Sequence, residues 1–309
     1  MNRIHACLAG AMTALALAPA GAATSNVIAG PDPAAHTQLR AVGQEAGPQL
    51  GGRLQNDPPG THLGRAVRLL PTKLTRQEAQ LTRAVSGPTI DRSAASFSPN
   101  WSGETMQTRT AGTVQGVYGT WHVPRVQATV RNKYSSTWVG VDGANNAQLI
   151  QTGTEGDSVR GRTVYRAWWE ILPQSETLIR YTNGRPVPVQ PDDAMTAYVV
   201  ETSSPGEWKI SLVDATQGWR FETTRRYAGS GTSAEWIQEA TTVGGAVSPI
   251  PAFSSVTFAD LAVAESDRWY RTALTSGNAV ALVQHRRLKA FPARLTSSTP
   301  QQFSVFYEP

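Results

Sequence analysis

From Phe97 onward, the chain consists of short runs rich in Val, Ile, Thr, Trp and Tyr, separated by residues that favour turns. Tight turns are indicated at 142–143 and 183–184, which read Asp-Gly and Asn-Gly. Residues 258–263 are the one candidate for a short helix. Strands at this spacing, without intervening helices, predict one all-β sandwich or barrel over residues 96–309. The runs cover residues 113–117, 136–141, 148–152, 164–171, 197–201, 208–213, 234–239, 255–258 and 302–307.

Residues 1–23 have the pattern of a secretory signal peptide. Arg3 precedes an apolar run over 6–18, and a small-residue cleavage site follows at Ala22 or Ala23. Because the apolar run is too short to span a bilayer, we expect a secreted (extracellular) protein without a membrane anchor. Cys7 is the only cysteine and lies inside this signal. The mature chain is therefore expected to lack disulfides and thiol chemistry.

Residues 24–95 differ in composition from the segment that follows. The first half is rich in Gly, Pro, Ala and Gln and is expected to be poorly ordered, whereas 69–85 has a helical pattern. The segment carries eight basic and five acidic residues, and residues 96–309 carry nineteen and eighteen. We predict a prosegment, partly disordered with one helix; a simple linker is the alternative. Without a dense basic patch in 96–309, nucleic-acid binding is not expected.

Several kinds of catalytic chemistry find little support in residues 96–309. His122 and His285 are the only histidines there, and their isolation does not fit a metal site. No Gly-x-Ser-x-Gly motif surrounds a serine, and the Asp-Thr-Gly or Asp-Ser-Gly pair of an aspartic peptidase is missing. We therefore expect neither a metal nor a cofactor.

Carboxylates and amides on aromatic-rich strands remain as candidates. Strand alternation puts Trp168 and Glu170 on one face, and likewise Glu235 and Glu239. A glutamate beside indole rings has its pKa raised by desolvation, toward the range useful for proton transfer. The plainer interpretation is that these glutamates line a solvated face and pair with arginines. Gln151 is either a satisfied core amide or a donor reserved for a ligand.

Six sequence elements together resemble the glutamic peptidase (eqolisin) family of secreted acid proteases. They occur in order between residue 100 and about residue 258, which makes the signal specific. The elements are Asn100-Trp101-Ser102-Gly103, Trp121-His122-Val123-Pro124, Trp138-Val139-Gly140-Val141-Asp142-Gly143, Leu149-Ile150-Gln151-Thr152-Gly153, Ala167-Trp168-Trp169-Glu170-Ile171-Leu172-Pro173 and Ala234-Glu235-Trp236-Ile237-Gln238-Glu239.

The resemblance implies a two-sheet antiparallel β-sandwich of the concanavalin A-like type. It implies a catalytic pair at Gln151 and Glu235, and Glu239 is the alternative catalytic glutamate because it shares the face of Glu235. Glu155 stands where the family commonly has aspartate, which keeps the charge but lengthens the side chain. The resemblance further implies supporting residues at Trp101, Trp138, Asp142, Trp168 and Glu170.

The resemblance predicts a monomeric endopeptidase that acts on protein or peptide substrates at acidic pH. Its own prosegment is expected to act as inhibitor, with arginines that pair with the carboxylates of the site. The alternative is a concanavalin A-like carbohydrate-binding protein, or a glycosidase that uses Glu170 and Glu235.

Overall fold

The computed structural model describes residues 27–28, 37–39, 90–91, 96–266, 268–271, 279–295 and 302–309, and every regular element in these ranges is a strand. The predicted signal peptide and the predicted helix over 69–85 lie outside the described residues. Within the described part of the chain, no helix is long and apolar enough to cross a membrane.

The strands are numbered in chain order. They are β1 (Val27–Ile28), β2 (Thr37–Leu39), β3 (Ile90–Asp91), β4 (Ser96–Ser98), β5 (Trp101–Gln107), β6 (Gly116–His122), β7 (Ser135–Val141), β8 (Ile150–Val159), β9 (Arg162–Ile171), β10 (Thr177–Leu178), β11 (Ala194–Glu201), β12 (Glu207–Asp214), β13 (Trp219–Arg226), β14 (Ser233–Ala240), β15 (Thr242–Val243), β16 (Ala246–Val247), β17 (Val256–Glu265), β18 (Arg268–Arg271), β19 (Ala279–Gln284), β20 (Arg287–Leu295) and β21 (Phe303–Tyr307).

Two antiparallel sheets form the body of the domain, as the sequence predicted. The β6 sheet has the order β18-β17-β6-β11-β12-β13. The β8 sheet has the order β10-β9-β8-β7-β14-β5-β19-β20-β21. Alternate residues of both sheets meet in one large apolar core, which includes Val139, Ile150, Trp169 and Trp236. Burial of each such side chain contributes roughly 1.5–3 kcal/mol, and this burial is what holds the sheets together.

Strand β17 belongs to both sheets. Its first residues, Val256 to Phe258, pair with β21 in the β8 sheet, and from Ala259 onward it pairs with β6 and β18. The register shifts at a bulge between Ala259 and Ala262, where Asp260 has a φ of 53°. The predicted short helix over 258–263 is therefore wrong. The bulge puts buried Phe258, Leu261 and Ala262 at helical spacing, which explains the error.

Three short strands from residues 24–95 extend the sheets. The backbone of β1 pairs with β18, that of β2 runs parallel to β13, and that of β3 pairs with β20. Residues 24–95 therefore make backbone contacts with the domain at three places.

Two carboxyl groups are buried together in the β6 sheet, where β11 begins and β12 ends. Asp193 precedes β11 and Asp214 ends β12. Asp214 Oδ1 accepts the backbone N–H groups of Thr216 and Gln217, and the Gln217 side chain donates to Asp193 Oδ1 at 3.0 Å. Burial raises the pKa of Asp214 to about 7, against the opposing effect of the backbone amides, and the neighbouring Asp193 raises it further. The pair therefore holds a proton in the folded protein.

We expect the thermal stability to fall as the pH rises through about 7. An unfolded aspartate releases its proton near pH 3.8, so the stabilisation is complete below that pH and is lost on ionisation of folded Asp214. The loss is up to about 4 kcal/mol. Asp214→Asn keeps a donor for Asp193 at every pH and should flatten the decline in thermal melts between pH 4 and 8. Exposed Asp192→Asn is the control, and an unchanged decline in Asp214→Asn would contradict this origin.

Candidate active site

Neighbouring strands of the β8 sheet bring the predicted catalytic residues into one row. Glu235 on β14 lies opposite Gly140 on β7, and Gly140 lies opposite Gln151 on β8. Gln151 in turn lies opposite Glu170 on β9. Because directly opposite residues of antiparallel strands point to the same face, the three polar side chains share one face of the sheet.

Gly140 leaves a gap between Glu235 and Gln151. Two strand spacings separate these residues, which puts their Cα atoms roughly 9–10 Å apart. A Cβ atom at Gly140 would lie 3.0 Å from both Leu149 and the Trp138 ring, and 3.1 Å from Gln151 Cβ. The gap is therefore narrow at its floor, and only a residue without a side chain keeps it open.

Gln151 is buried and makes one side-chain hydrogen bond. Its Nε2 donates to Glu170 Oε2 at 2.7 Å. Its Oε1 is buried and has no hydrogen-bond partner among the described residues. An unpartnered buried carbonyl costs about 1–3 kcal/mol, so this amide is not a satisfied core group.

Glu235 is fully buried and its carboxyl group is not held by a strong partner. Among the described residues, neither carboxyl oxygen makes a hydrogen bond of good geometry. Burial raises the pKa of Glu235 well above its usual value, and the negative charge of Asp142 raises it further. The Ser233 hydroxyl and the backbone amide of Ala144 oppose these effects in part. Glu235 is thus a proton-holding group at acidic pH.

Glu239 shares the face of Glu235 but has both oxygens occupied. Its Oε1 accepts a hydrogen bond from Asn100 Nδ2 at 3.1 Å, and its Oε2 accepts one from Trp138 Nε1 at 2.8 Å. The carboxyl group therefore ties the indole of Trp138 to the start of β5.

Asp142 holds the segment before β14 in place through hydrogen bonds. It directly follows β7 with a φ of 70° and accepts hydrogen bonds from Tyr227 Oη at 2.8 Å and from the backbone N–H groups of Gly231 and Thr232 at 3.0 Å. Burial acts to raise the pKa of Asp142, but these bonds and one from Asn146 outweigh it, and the pKa is lowered. Asp142 therefore stays ionised and holds the approach to Glu235 in place.

The predicted tryptophans pack beside the row. Ile237, Trp138 and Trp168 lie on the same face in the next cross-strand row, with Gly153 between the two indoles. Trp101 meets Trp138 edge to face, with ring centroids 5.1 Å apart. The side chains form a second apolar cluster, outside the main core, that consists of Trp101, Trp138, Leu149, Trp168, Ile237 and Val280.

Comparisons with known proteins identify the family of this chain. The sequence model of the peptidase A4 family matches residues 99–305. The chain belongs to the peptidase A4 family. It is a glutamic-type endopeptidase, and the predicted family is confirmed. No curated protein sequence matches the chain.

Solved structures of glutamic peptidases have the same fold. This peptidase is similar to scytalido-glutamic peptidase, crystallised with a transition state analog inhibitor, with a TM-score of 0.54 and 19% identity over 71% of this chain and 100% of that chain. It is also similar to SCP-B, a member of the eqolisin family in a complex with the tripeptide Ala-Ile-His, with a TM-score of 0.50 and 19% identity over the same shares of the two chains. At these identities the similarity shows the β-sandwich fold.

Glu155 lies apart from Gln151 and its hydrogen-bond partner Glu170 in this peptidase. It shares the face of Gln151 four residues along β8, and its Oε2 accepts a hydrogen bond from Arg166 at 3.0 Å. Arg166 also contacts Asp157 at 3.4 Å. Glu155 therefore belongs to a charged cluster beyond the tryptophans, and Glu170 is the side chain that touches Gln151.

Sequence reasoning missed three residues at the site. Gly140 and Arg166 lie in strands on the same face as Gln151, so strand alternation was a usable signal for both. Glu176 follows β9 in a turn, where periodicity gives no signal. Burial raises the pKa of Glu176 well above its usual value, and the charges of Glu155 and Glu170 raise it further. Among the described residues, no group of three or more His, Cys, Asp or Glu side chains is arranged to hold a metal ion.

Proposed function

We propose that this peptidase is secreted and hydrolyses protein substrates at acidic pH, with Gln151 and Glu235 as its catalytic pair. The observation that carries the proposal is the cross-strand row in which the two side chains flank the side-chain-free Gly140. A reacting carbonyl between them can lie about 3 Å from both a proton acceptor and an amide donor. The free oxygens of Glu235, compared with the occupied oxygens of Glu239, favour Glu235 as the catalytic glutamate.

The proposed reaction uses one titrating group and one neutral donor. Ionised Glu235 takes a proton from a water molecule in the gap, and the water oxygen attacks the carbonyl carbon of the peptide bond. Gln151 donates an N–H to the carbonyl oxygen as that atom becomes negative, which contributes about 3–4 kcal/mol. Glu235, now protonated, gives its proton to the leaving nitrogen, and the C–N bond breaks.

The raised pKa of Glu235 affects the working pH. Because the first step needs the ionised form, activity is lost as the pH falls below this pKa, and burial moves that loss above the range of an ordinary glutamate. We therefore place the optimum in weak rather than strong acid.

The glycosidase alternative fits the register poorly. Three strand spacings separate Glu235 from Glu170, or roughly 14 Å between Cα atoms. Glycosidase carboxyl groups are about 5–10 Å apart. In addition, Glu170 is engaged by the Gln151 amide at 2.7 Å.

The test of the proposed function is cleavage of a denatured protein between pH 3 and 8 in the presence of pepstatin. We expect pepstatin-resistant cleavage with an optimum in weak acid, read as new peptide termini by mass spectrometry. A sample incubated with a polysaccharide serves as the control for carbohydrate activity. Absence of cleavage over the whole pH range would overturn the proposal.

We also propose that residues 1–23 direct export and that residues 24–95 are an inhibitory leader, released in acid. The pairing of β1, β2 and β3 with the domain supports a leader that folds onto it. The same cleavage assay tests this proposal. We expect the active species to begin near residues 93–97, and activity of the full-length chain would contradict an inhibitory leader.

A further inference from the structure

The two polar atoms of the Gln151 amide differ: the nitrogen is hydrogen-bonded and the oxygen is not. Its Nε2 is drawn toward Glu170, on one side, by the 2.7 Å hydrogen bond. The amide oxygen diverges from the nitrogen, and Oε1 is left without a partner among the described residues. An amide oxygen can only accept hydrogen bonds. In this orientation Nε2 is committed to Glu170, on the side of Gln151 away from Gly140, rather than turned toward the gap beside Glu235.

We propose that Glu170 is a positioning residue that sets the orientation of the Gln151 amide. As a neutral carboxylic acid, Glu170 donates a hydrogen bond to Gln151 Oε1, and the Nε2–H₂ group then turns toward the gap beside Glu235. As a carboxylate, Glu170 accepts from Nε2 and holds the amide in the unproductive orientation. The inference rests on the proposed roles of Gln151 and Glu235.

The surroundings of Glu170 favour its neutral form in acid. Burial raises the pKa of Glu170 to about 8, and the charge of Glu239 on β14 raises it further, against the hydrogen bonds from Gln151 and from the backbone N–H of Glu176. The Glu176 carboxyl group adds another acidic neighbour.

Arg166, a basic residue on the same strand as Glu170, has other partners. The guanidinium of Arg166 is hydrogen-bonded to Glu155 and Asp157, at 3.0 and 3.4 Å. Glu170 Oε1 is buried and has no hydrogen-bond partner among the described residues. Glu235 faces the opposite side of Gln151, across Gly140. The contacts of Glu170 within the described residues are thus with an amide and with other acids, and a proton on Glu170 meets an acceptor in Gln151 Oε1.

The proposal assigns the loss of activity above neutrality to Glu170. In acid the amide donor faces the gap, and above the pKa of about 8 the donor is withdrawn while Glu235 stays ionised. kcat should therefore fall at high pH with little change in KM, because the donor acts on the charge that develops in the transition state.

The test compares Glu170→Gln, Glu170→Leu and the wild-type protein, with Glu207→Gln as a control for the loss of one charge. Glu207 is a half-buried residue of β12 whose carboxyl group lies 3.8 Å from Arg226. kcat and KM are measured with a peptide substrate from pH 3 to 9, and circular dichroism at each pH checks the fold. We expect Glu170→Gln, which can donate to Oε1 at every pH, to lose the wild-type decline near pH 8. Glu170→Leu should lower kcat at every pH, by about 10²-fold, because the amide is no longer oriented.

Each outcome decides a separate point. A high-pH decline of Glu170→Gln that coincides with the wild-type decline would overturn the role of Glu170, as would a loss in Glu170→Gln as large as that in Glu170→Leu. If Glu170→Leu does not fold, the comparison of Glu170→Gln with the wild type alone decides. A wild-type protein without peptidase activity at any pH would instead refute the proposed function.

Discussion

Glu235→Gln is expected to lower kcat by a factor of about 10²–10⁴, the usual contribution of a positioned acid–base group. The amide has nearly the shape of the carboxyl group, but it cannot take a proton from water at any pH. KM should change little, because the substitution removes an interaction of the transition state rather than of the bound peptide. Steady-state kinetics at the optimum measure the effect, and Glu207→Gln at half-buried Glu207 on β12, outside the row, is the matched control.

Glu239→Gln separates the two candidate glutamates. The Glu239 carboxyl group accepts hydrogen bonds from Asn100 and Trp138, so its loss should act mainly through the placement of the indole and should lower the melting temperature. A nearly inactive but stable Glu239→Gln, together with an active Glu235→Gln, would reverse the assignment.

Gln151→Glu is expected to lower kcat by a factor of about 10²–10³, the typical effect of removing one oxyanion donor. The new side chain is nearly isosteric, yet it puts a third carboxyl group in the row between Glu170 and Glu235. When ionised, the new carboxylate would also raise the pKa of Glu235, because like charges disfavour each other's ionisation. The loss of activity at low pH should then begin at a higher pH than in the wild-type protein.

The exposed residue Gln148 offers a control close in sequence, since Gln148→Glu changes the charge equally outside the row. Thermal melts at acidic pH establish that the Gln151→Glu variant is folded. Full peptidase activity in folded Gln151→Glu would refute the role of Gln151 as the donor.

Much of the fold followed from local patterns. The strands β7, β8, β9 and β14 overlap runs in which apolar and aromatic residues alternate with polar ones, and these strands carry the row that contains Gln151 and Glu235. The order of the strands across the sheet could not be predicted, because β14 pairs with β7 and with β5, and the paired residues are separated by 95 positions (Glu235 and Gly140) and by 130 positions (Glu235 and Thr105).

The residues of the candidate site were named from the sequence, but their geometry was not predicted. The resemblance named Gln151, Glu170, Glu235 and Glu239, whereas only the register distinguishes a glutamate at the gap from one bound to Trp138. Glu155 was singled out because it stands where the family commonly has aspartate. Its actual partner, Arg166, lies opposite it on β9 and is defined by cross-strand pairing alone.

Because β17 belongs to both sheets, we expect the two sheets to unfold together. Unfolding that begins at the buried acids Asp193 and Asp214 should extend along β17 to the sheet that carries Glu235. The peptidase should consequently lack a half-unfolded state in alkali in which the sheet with Gln151 and Glu235 survives by itself. The two sheets then unfold as a single event, which is distinct from the loss of activity in the folded protein near pH 8 that is assigned to Glu170.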